Sequence, residues 1–326
     1  MRRLSALGVL CLISALPLFA AKTTYEYYAV GNQNDVTTTT TAGTVLMGGG
    51  LDVDAAFQWM IGKSGGGDFV VIRATGTDAY NPYIYGLGTV DSVETLIIKS
   101  RTAAADPFVI NKIRNAEALW IAGGDQSDYI NFWKGTPVAD AINYVANTKK
   151  VPVGGTSAGL AVLGQFIYTG ASGSVTSSQA LSDPYHRYVT LDRDFVQIAN
   201  LGGVITDSHF VTRDRLGRLV AFLGRIVKDG WASSVHGVGI DEATALLVNP
   251  DGSSTRVGSG AVYFLSSNGV PQVCVAKTAL TYTGIAVYKI SGSATFHFAQ
   301  WSGTGGTAYT VSANAGALSS SNGSIY

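Results

Sequence analysis

Val151-Pro152-Val153-Gly154-Gly155-Thr156-Ser157-Ala158-Gly159 runs from a short apolar strand into a glycine-flanked serine, and an apolar, helix-compatible stretch, Leu160 to Ile167, follows it. A serine in G-x-S-x-G between strand and helix reads as a nucleophile elbow. The turn holds the hydroxyl exposed, and the flanking glycines remove side chains that would crowd it. The following helix would aim its N-terminal amides at negative charge developing on a substrate. Because the chain has 40 glycines, the five-residue pattern alone is weak. Its position at a strand–helix junction gives it weight.

Upstream, the same rhythm repeats. Val45-Leu46-Met47 is an apolar strand ended by Gly48-Gly49-Gly50, and Val53 to Ile61 follows with Ala56, Phe57, Met60 and Ile61 at helical spacing. Phe69 to Ile72 and Thr95 to Ile98 read as strands, Pro107 to Arg114 as a helix, Ala118 to Ala122 as a strand, and Val138 to Ala146 as a helix. Strands apolar on both faces that alternate with helices predict an α/β fold, a mostly parallel sheet flanked by helices. In such sheets the chemistry gathers at the carboxyl ends of the strands.

Downstream of Ala243 the texture changes. Leu246 to Val248, Ala261 to Phe264, Val273-Cys274-Val275 and Ile285 to Tyr288 are short strands between Gly, Ser, Asn and Pro turns, and the tail after Trp301 is rich in Gly, Ser and Thr. They predict additional antiparallel strands on the sheet toward the C-terminus, ending in a loose tail. Residues 22–326 read as a single domain, of which about 249–326 is a β-rich extension.

The 326 residues are 46% hydrophobic and 13% charged, with 22 basic and 22 acidic side chains. That composition excludes a disordered chain, and its balance gives no field for nucleic acid or an anionic membrane. Arg2 and Arg3 precede an apolar run from Leu4 that ends at the small residues Ala20 and Ala21. Residues 1–21 therefore read as a signal peptide, with secretion or periplasmic export expected and no membrane association after cleavage. Cleavage removes Cys11 and leaves Cys274 without an intrachain partner, as buried filler.

A serine nucleophile needs a base, and four histidines are available. His297 lies in an alternating strand pattern, His186 in a polar loop, and His236 in a glycine-flanked loop open to either role. His209 closes Gly203 to His209, an apolar strand breaking into a polar tip, where a parallel sheet presents a base. Beyond it, Arg213, Arg215 and Arg218 suit carboxylate recognition or a solvated helix face; Arg215 and Arg218 share a face at that spacing. Asp241 and Glu242 both offer a carboxylate to orient the imidazole. Gly123-Gly124-Asp125-Gln126, directly after a strand, offers backbone amides for an oxyanion hole or forms a simple tight turn. No clustered Cys or His set suggests a metal, and serine chemistry requires no cofactor.

Together these segments resemble the cyanophycinase and dipeptidase E group, peptidase family S51. The resemblance rests on Gly123 to Gln126, Gly155 to Gly159, Asp207-Ser208-His209-Phe210 with Arg213, Arg215 and Arg218, and Gly239 to Glu242, in order, and covers roughly Val45 to Val248. It implies a fold like that of class I glutamine amidotransferases. It also implies Ser157 as nucleophile, His209 as base, Glu242 as orienting acid, and the Gly124 and Ala158 amides as oxyanion hole. Gln126, Asp207 and the three arginines would line the substrate site. The implied activity is serine-type exopeptidase cleavage of cyanophycin, the β-aspartyl-arginine polymer, into dipeptides, by a chain that is a homodimer on the same analogy. Ser208 stands where that pattern has glutamine, which leaves the exact substrate open. The alternatives are an isoaspartyl or aspartyl dipeptidase of the same family, an α/β-hydrolase esterase using His297, and a non-catalytic secreted binding protein.

Overall fold

Strands buried on both faces need cover on both sides, and helices supply it here. The computed structural model describes residues 24–326; the signal-peptide reading of residues 1–21 lies outside them. Five parallel strands centre a ten-stranded sheet, in the order Ser92–Ile97, Phe69–Arg73, Ala118–Ile121, Pro152–Thr156 and Gly43–Met47. Every residue in them except Arg73 and Gly43 is buried.

The helix Asp54–Ser64 covers one face, packing Phe57 on Trp120 with ring centroids 4.7 Å apart. It stops where Gly65 turns left-handed. The helices Pro107–Asn115 and Pro137–Tyr144 cover the other face through Val109, Ile113, Val138 and Ile142. Pro107 opens its helix at a position needing no N–H, while the Asp106 side chain accepts from the Phe108 amide.

The antiparallel strands divide between two sheets. Thr244–Val248, Ser253–Gly258, Thr295–His297 and Ser302–Thr304 extend the first sheet beyond Gly43–Met47, and Glu26–Gly31, which sequence patterning missed, closes its other edge. A second, eight-stranded sheet holds Val204–Asp207 between Phe166–Tyr168 and His236–Ile240, all three parallel. Val262–Ser266, Tyr282–Ile290, Thr307–Asn314 and Ala317–Ser320 continue it antiparallel. The helix Leu216–Lys228 packs on it.

Several expectations need correction. Leu160 to Ile167 is not a helix: four residues, Ala158–Ala161, are helical, and Phe166–Tyr168 pairs with Leu191–Arg193 and Val204–Asp207. A short apolar run satisfies a buried helix or a buried strand equally, and here tertiary pairing decides. Val273 to Val275 makes only one bridge, from Val273 to Thr281, because Pro271 and the left-handed Lys277 bracket too few residues for a ladder. Cys274 is buried there as expected, and burial pushes its thiol up to about 11. His236 begins a strand rather than sitting in a loop, with its ring stacked on Trp301 at 3.8 Å. The tail after Trp301 is not loose: three further strands form, and Tyr326 is hydrogen-bonded.

Gly154 lies within the parallel centre, and a Cβ there would meet the Trp120 ring at 2.6 Å and Val45 Cβ at 2.8 Å. Gly154→Ala is expected to cost about 1–3 kcal/mol by overpacking, read as a lower urea midpoint at unchanged slope.

Candidate active site

The site forms where the carboxyl ends of both parallel strand sets meet. Pro152–Thr156 of the first sheet delivers Ser157, whose backbone is forced to φ 53° and ψ −112°. That strained conformation holds the hydroxyl away from its own chain. Val204–Asp207 of the second sheet delivers His209, and His236–Ile240 delivers Glu242. The Ser157 Oγ lies 2.8 Å from His209 Nε2, and His209 Nδ1 lies 2.5 Å from Glu242 Oε1. A carboxylate only accepts, so Nδ1 carries the proton and donates to Glu242, leaving Nε2 to accept from the Ser157 hydroxyl. His297 pairs with Ser253 near the far edge of the first sheet, whereas Ser157 already has His209.

One backbone segment, Gly48 to Gly50, stitches the two sheets together. The Gly48 carbonyl accepts from the His209 amide at 2.7 Å, the Gly49 carbonyl from the Ala243 amide at 2.9 Å, and the Met47 carbonyl from the Ser157 amide at 3.1 Å. Gly49 has φ +90°, and a Cβ on it would lie 2.5 Å from His209 Nε2 and 3.1 Å from Ser157 Cβ. A Cβ on Gly50 would meet that of Glu242 at 2.9 Å. These glycines let a main chain pass against all three side chains.

Burial is the main cause lowering the His209 pKa below its ordinary value. The hydrogen bond to Glu242 opposes it, and the Arg213 and Arg215 charges add to the lowering. The hydrogen bond from His209 lowers the Glu242 pKa, with Arg213 contributing in the same direction. The pair is thus neutral imidazole against carboxylate at neutral pH, as a general base requires.

Beside Ser157 opens a cavity of about 290 Å³ lined by Gly124, Gln126, Ala158, Tyr168, Asp207 and the three arginines. Tyr129 fixes the turn that carries Gly124, its hydroxyl donating to the Ala122 carbonyl at 2.8 Å. The Gln126 amide nitrogen reaches the Tyr168 carbonyl at 3.4 Å.

The arginines differ in role. Arg218 is buried and grips Asp207 with two hydrogen bonds, at 2.7 and 2.5 Å, while its guanidinium lies over the Tyr168 ring. Arg215 is half-buried and donates to the Ser208 carbonyl at 2.8 Å; burial lowers its pKa to about 10, so it stays charged at neutral pH. Arg213 is exposed at the rim. Arg215 precedes the helix Leu216–Lys228 and so does not share a helical face with Arg218, but both reach Asp207, at 3.5 and 2.5 Å. Against the three arginines stand two lining acids, Asp125 and Asp207, so the cavity keeps one positive charge in excess.

No protein-family model matches the chain. A cyanophycinase from Trichormus variabilis is 27% identical over 219 residues, 64% of this chain and 66% of that protein. One from Geminocystis herdmanii is 27% identical over 185 residues, 57% of this chain and 62% of that protein. The chain thus spans just under two thirds of the length of these curated relatives. The resemblance to the cyanophycinase and S51 peptidase group stands. Among solved structures, a peptidase from an acI-B1 Actinobacterium superposes with a TM-score of 0.51 at 19% identity, covering 69% of this chain and 91% of that one, which shows a shared fold.

Against that cyanophycinase-like background, Ser208 is informative. Its amide donates to Asp207 Oδ1 at 2.9 Å, and its hydroxyl lies 3.3 Å from an Arg215 nitrogen. Ser208 is buried and lines the cavity together with Arg215. Sequence reading missed the role of Gly48 to Gly50, although the triple glycine at a strand end was a visible signal.

Gly49→Ala is expected to lower kcat/KM by roughly 10²-fold by displacing the imidazole, at a stability cost of about 1–3 kcal/mol. Gly62→Ala, where an added Cβ meets nothing within 4 Å on an exposed helix face, is expected to stabilise by about 0.5–1 kcal/mol with activity intact. Asp207→Asn leaves Arg218 buried without its counter-ion and is expected to cost about 3–5 kcal/mol in chemical denaturation.

Proposed function

We propose that the chain is a serine-type peptidase acting on aspartyl-linked peptides that carry a free carboxylate, with cyanophycin, the β-aspartyl-arginine polymer, as the substrate class. The observation that carries this reading is the hydrogen-bonded series Ser157, His209 and Glu242 at the mouth of an arginine-lined cavity. Ser157 attacks the scissile carbonyl while His209 Nε2 takes its proton, and Glu242 stabilises the imidazolium that forms. The Gly124 and Ala158 amides receive the developing oxyanion. The imidazolium then protonates the leaving amine, and water attacks the acyl-serine through the same base.

Arg213 and Arg215 supply the cationic wall for the substrate carboxylate, and Gln126 lines the same cavity. Asp207 acts through Arg218, which it holds in place. A second reading, a dipeptidase of aspartyl or isoaspartyl dipeptides, draws support from the small cavity, which is near the lower limit for ligand pockets of roughly 300 Å³. Export of the chain is part of the proposal, supported by the basic start and apolar run of residues 1–21.

Purified protein incubated with cyanophycin and, separately, with isoaspartyl dipeptides is expected to release β-aspartyl-arginine from the polymer, read by mass spectrometry. Cleavage of the dipeptides alone would favour the second reading, and a chain that cuts neither and takes no serine-directed phosphonate on Ser157 would sink both. Ser157→Ala is expected to lose about 10⁴-fold or more in kcat. The acid limb of kcat/KM is expected below the ordinary histidine pKa. Arg213→Gln removes a positive charge that disfavours the imidazolium, so that limb should move to higher pH.

A further inference from the structure

The helix Leu216–Lys228 begins just after the arginine loop and has no side-chain cap of its own from Arg215. Its first amides therefore need outside acceptors. The Leu216 amide finds one 110 positions away, donating to the Tyr326 hydroxyl at 3.0 Å. That hydroxyl in turn donates to Asp214 Oδ1 at 2.9 Å. The Tyr326 ring stands edge-on to Phe210 at 5.9 Å and to Tyr263 at 5.8 Å.

These contacts bracket the loop that carries two of the cavity's cations. Phe210 adjoins His209, and Leu216 adjoins Arg215. Between them Asp214 is held at φ 48°, a left-handed conformation that a non-glycine residue keeps only under constraint. The Ser177 hydroxyl donates to the Asp214 carbonyl, and the Arg215 amide donates to the Phe210 carbonyl at 2.8 Å. The Tyr326 hydroxyl ties the Asp214 side chain and the Leu216 amide to one atom, while the Ser177 hydroxyl, which also accepts from the Arg218 amide at 3.1 Å, ties the Asp214 carbonyl to the next residues of the helix. Burial raises its pKa, the largest of several causes, so the phenol stays protonated and available as a donor.

We propose that Tyr326 is a positioning residue for substrate recognition: its hydroxyl fixes the loop from His209 to Leu216 so that Arg213 and Arg215 face the Ser157 cavity. The assignment rests on the peptidase reading above, since it gives those arginines a substrate carboxylate to hold. It makes the β-rich extension, which lies beyond the four motifs, a working part of the site. Tyr326 acts on affinity for the carboxylate and leaves the proton relay of Ser157, His209 and Glu242 alone.

The test compares full-length wild type with Tyr326→Phe, which keeps the ring and removes only the hydroxyl. Two substrates are used: one ending in β-aspartyl-arginine and the neutral ester p-nitrophenyl acetate. Loss of one hydrogen bond should raise KM for the first by about three- to tenfold. Its kcat and the ester kinetics should stay within about twofold, and the amides of residues 211–216 should exchange faster with deuterium. An unchanged KM, or a parallel fall in kcat on both substrates, would overturn the assignment. Calorimetric titration of β-aspartyl-arginine dipeptide onto both proteins separates the two claims. If wild type binds the dipeptide but cleaves nothing, the peptidase reading falls, and a three- to tenfold weaker affinity in Tyr326→Phe still carries the positioning role. Equal affinities in the two proteins, or no binding to either, would overturn that role.

Discussion

Everything at the site depends on how closely one stretch of main chain approaches three side chains. Gly48 to Gly50 leaves the strand Gly43–Met47 and runs beneath Ser157, His209 and Glu242, accepting hydrogen bonds from His209 and Ala243 on the way. The serine belongs to one sheet and the imidazole and carboxylate to another. Their separation is therefore set by this segment rather than by either sheet alone. A backbone carbonyl that satisfies the His209 amide also fixes the residue that carries the ring, so the Ser157 hydroxyl and the His209 imidazole are spaced by the main chain.

The charges around that centre are arranged in tiers. Asp207 and Arg218 form a buried pair whose lone pairs and protons are largely consumed by each other, with the Tyr168 ring under the guanidinium. Such a pair adds little net stability but is costly to break, which suits it to holding a wall in place. Arg215 leans on that pair and on the Ser208 carbonyl, and Arg213 is exposed at the rim. Both lower the His209 pKa, while the bond to Glu242 opposes them and burial dominates. The cations that line the cavity thus also help keep the His209 imidazole unprotonated.

Local patterns made much of this legible. Ser157 sits at a strand end followed by a turn, and His209 just past an apolar strand's polar tip, positions that the apolar runs before them mark in the sequence. The five central parallel strands were readable because burial on both faces leaves each a short apolar stretch, although Ser92–Ile97 also buries Glu94 and Thr95. Glu242 could be separated from Asp241 only through family likeness, as both carboxylates occupy the same loop and side-chain direction is a tertiary fact. What stayed hidden depended on distant partners. Leu160 to Ile167 splits into a turn of helix and a strand because Val204–Asp207 waits beside it. The Gly- and Ser-rich tail becomes ordered because neighbouring strands accept it. Glu26–Gly31 is an edge strand whose polar and aromatic residues carry no clear period.

The division of the triad between two sheets has a mechanical corollary. Sub-global openings that slide one layer against the other without melting either would pull the hydroxyl from the imidazole while leaving nearly all secondary structure intact. The distance between Oγ and Nε2 therefore acts as a gauge of the seam between the layers, and the reactivity of Ser157 reports on how firmly that seam is closed.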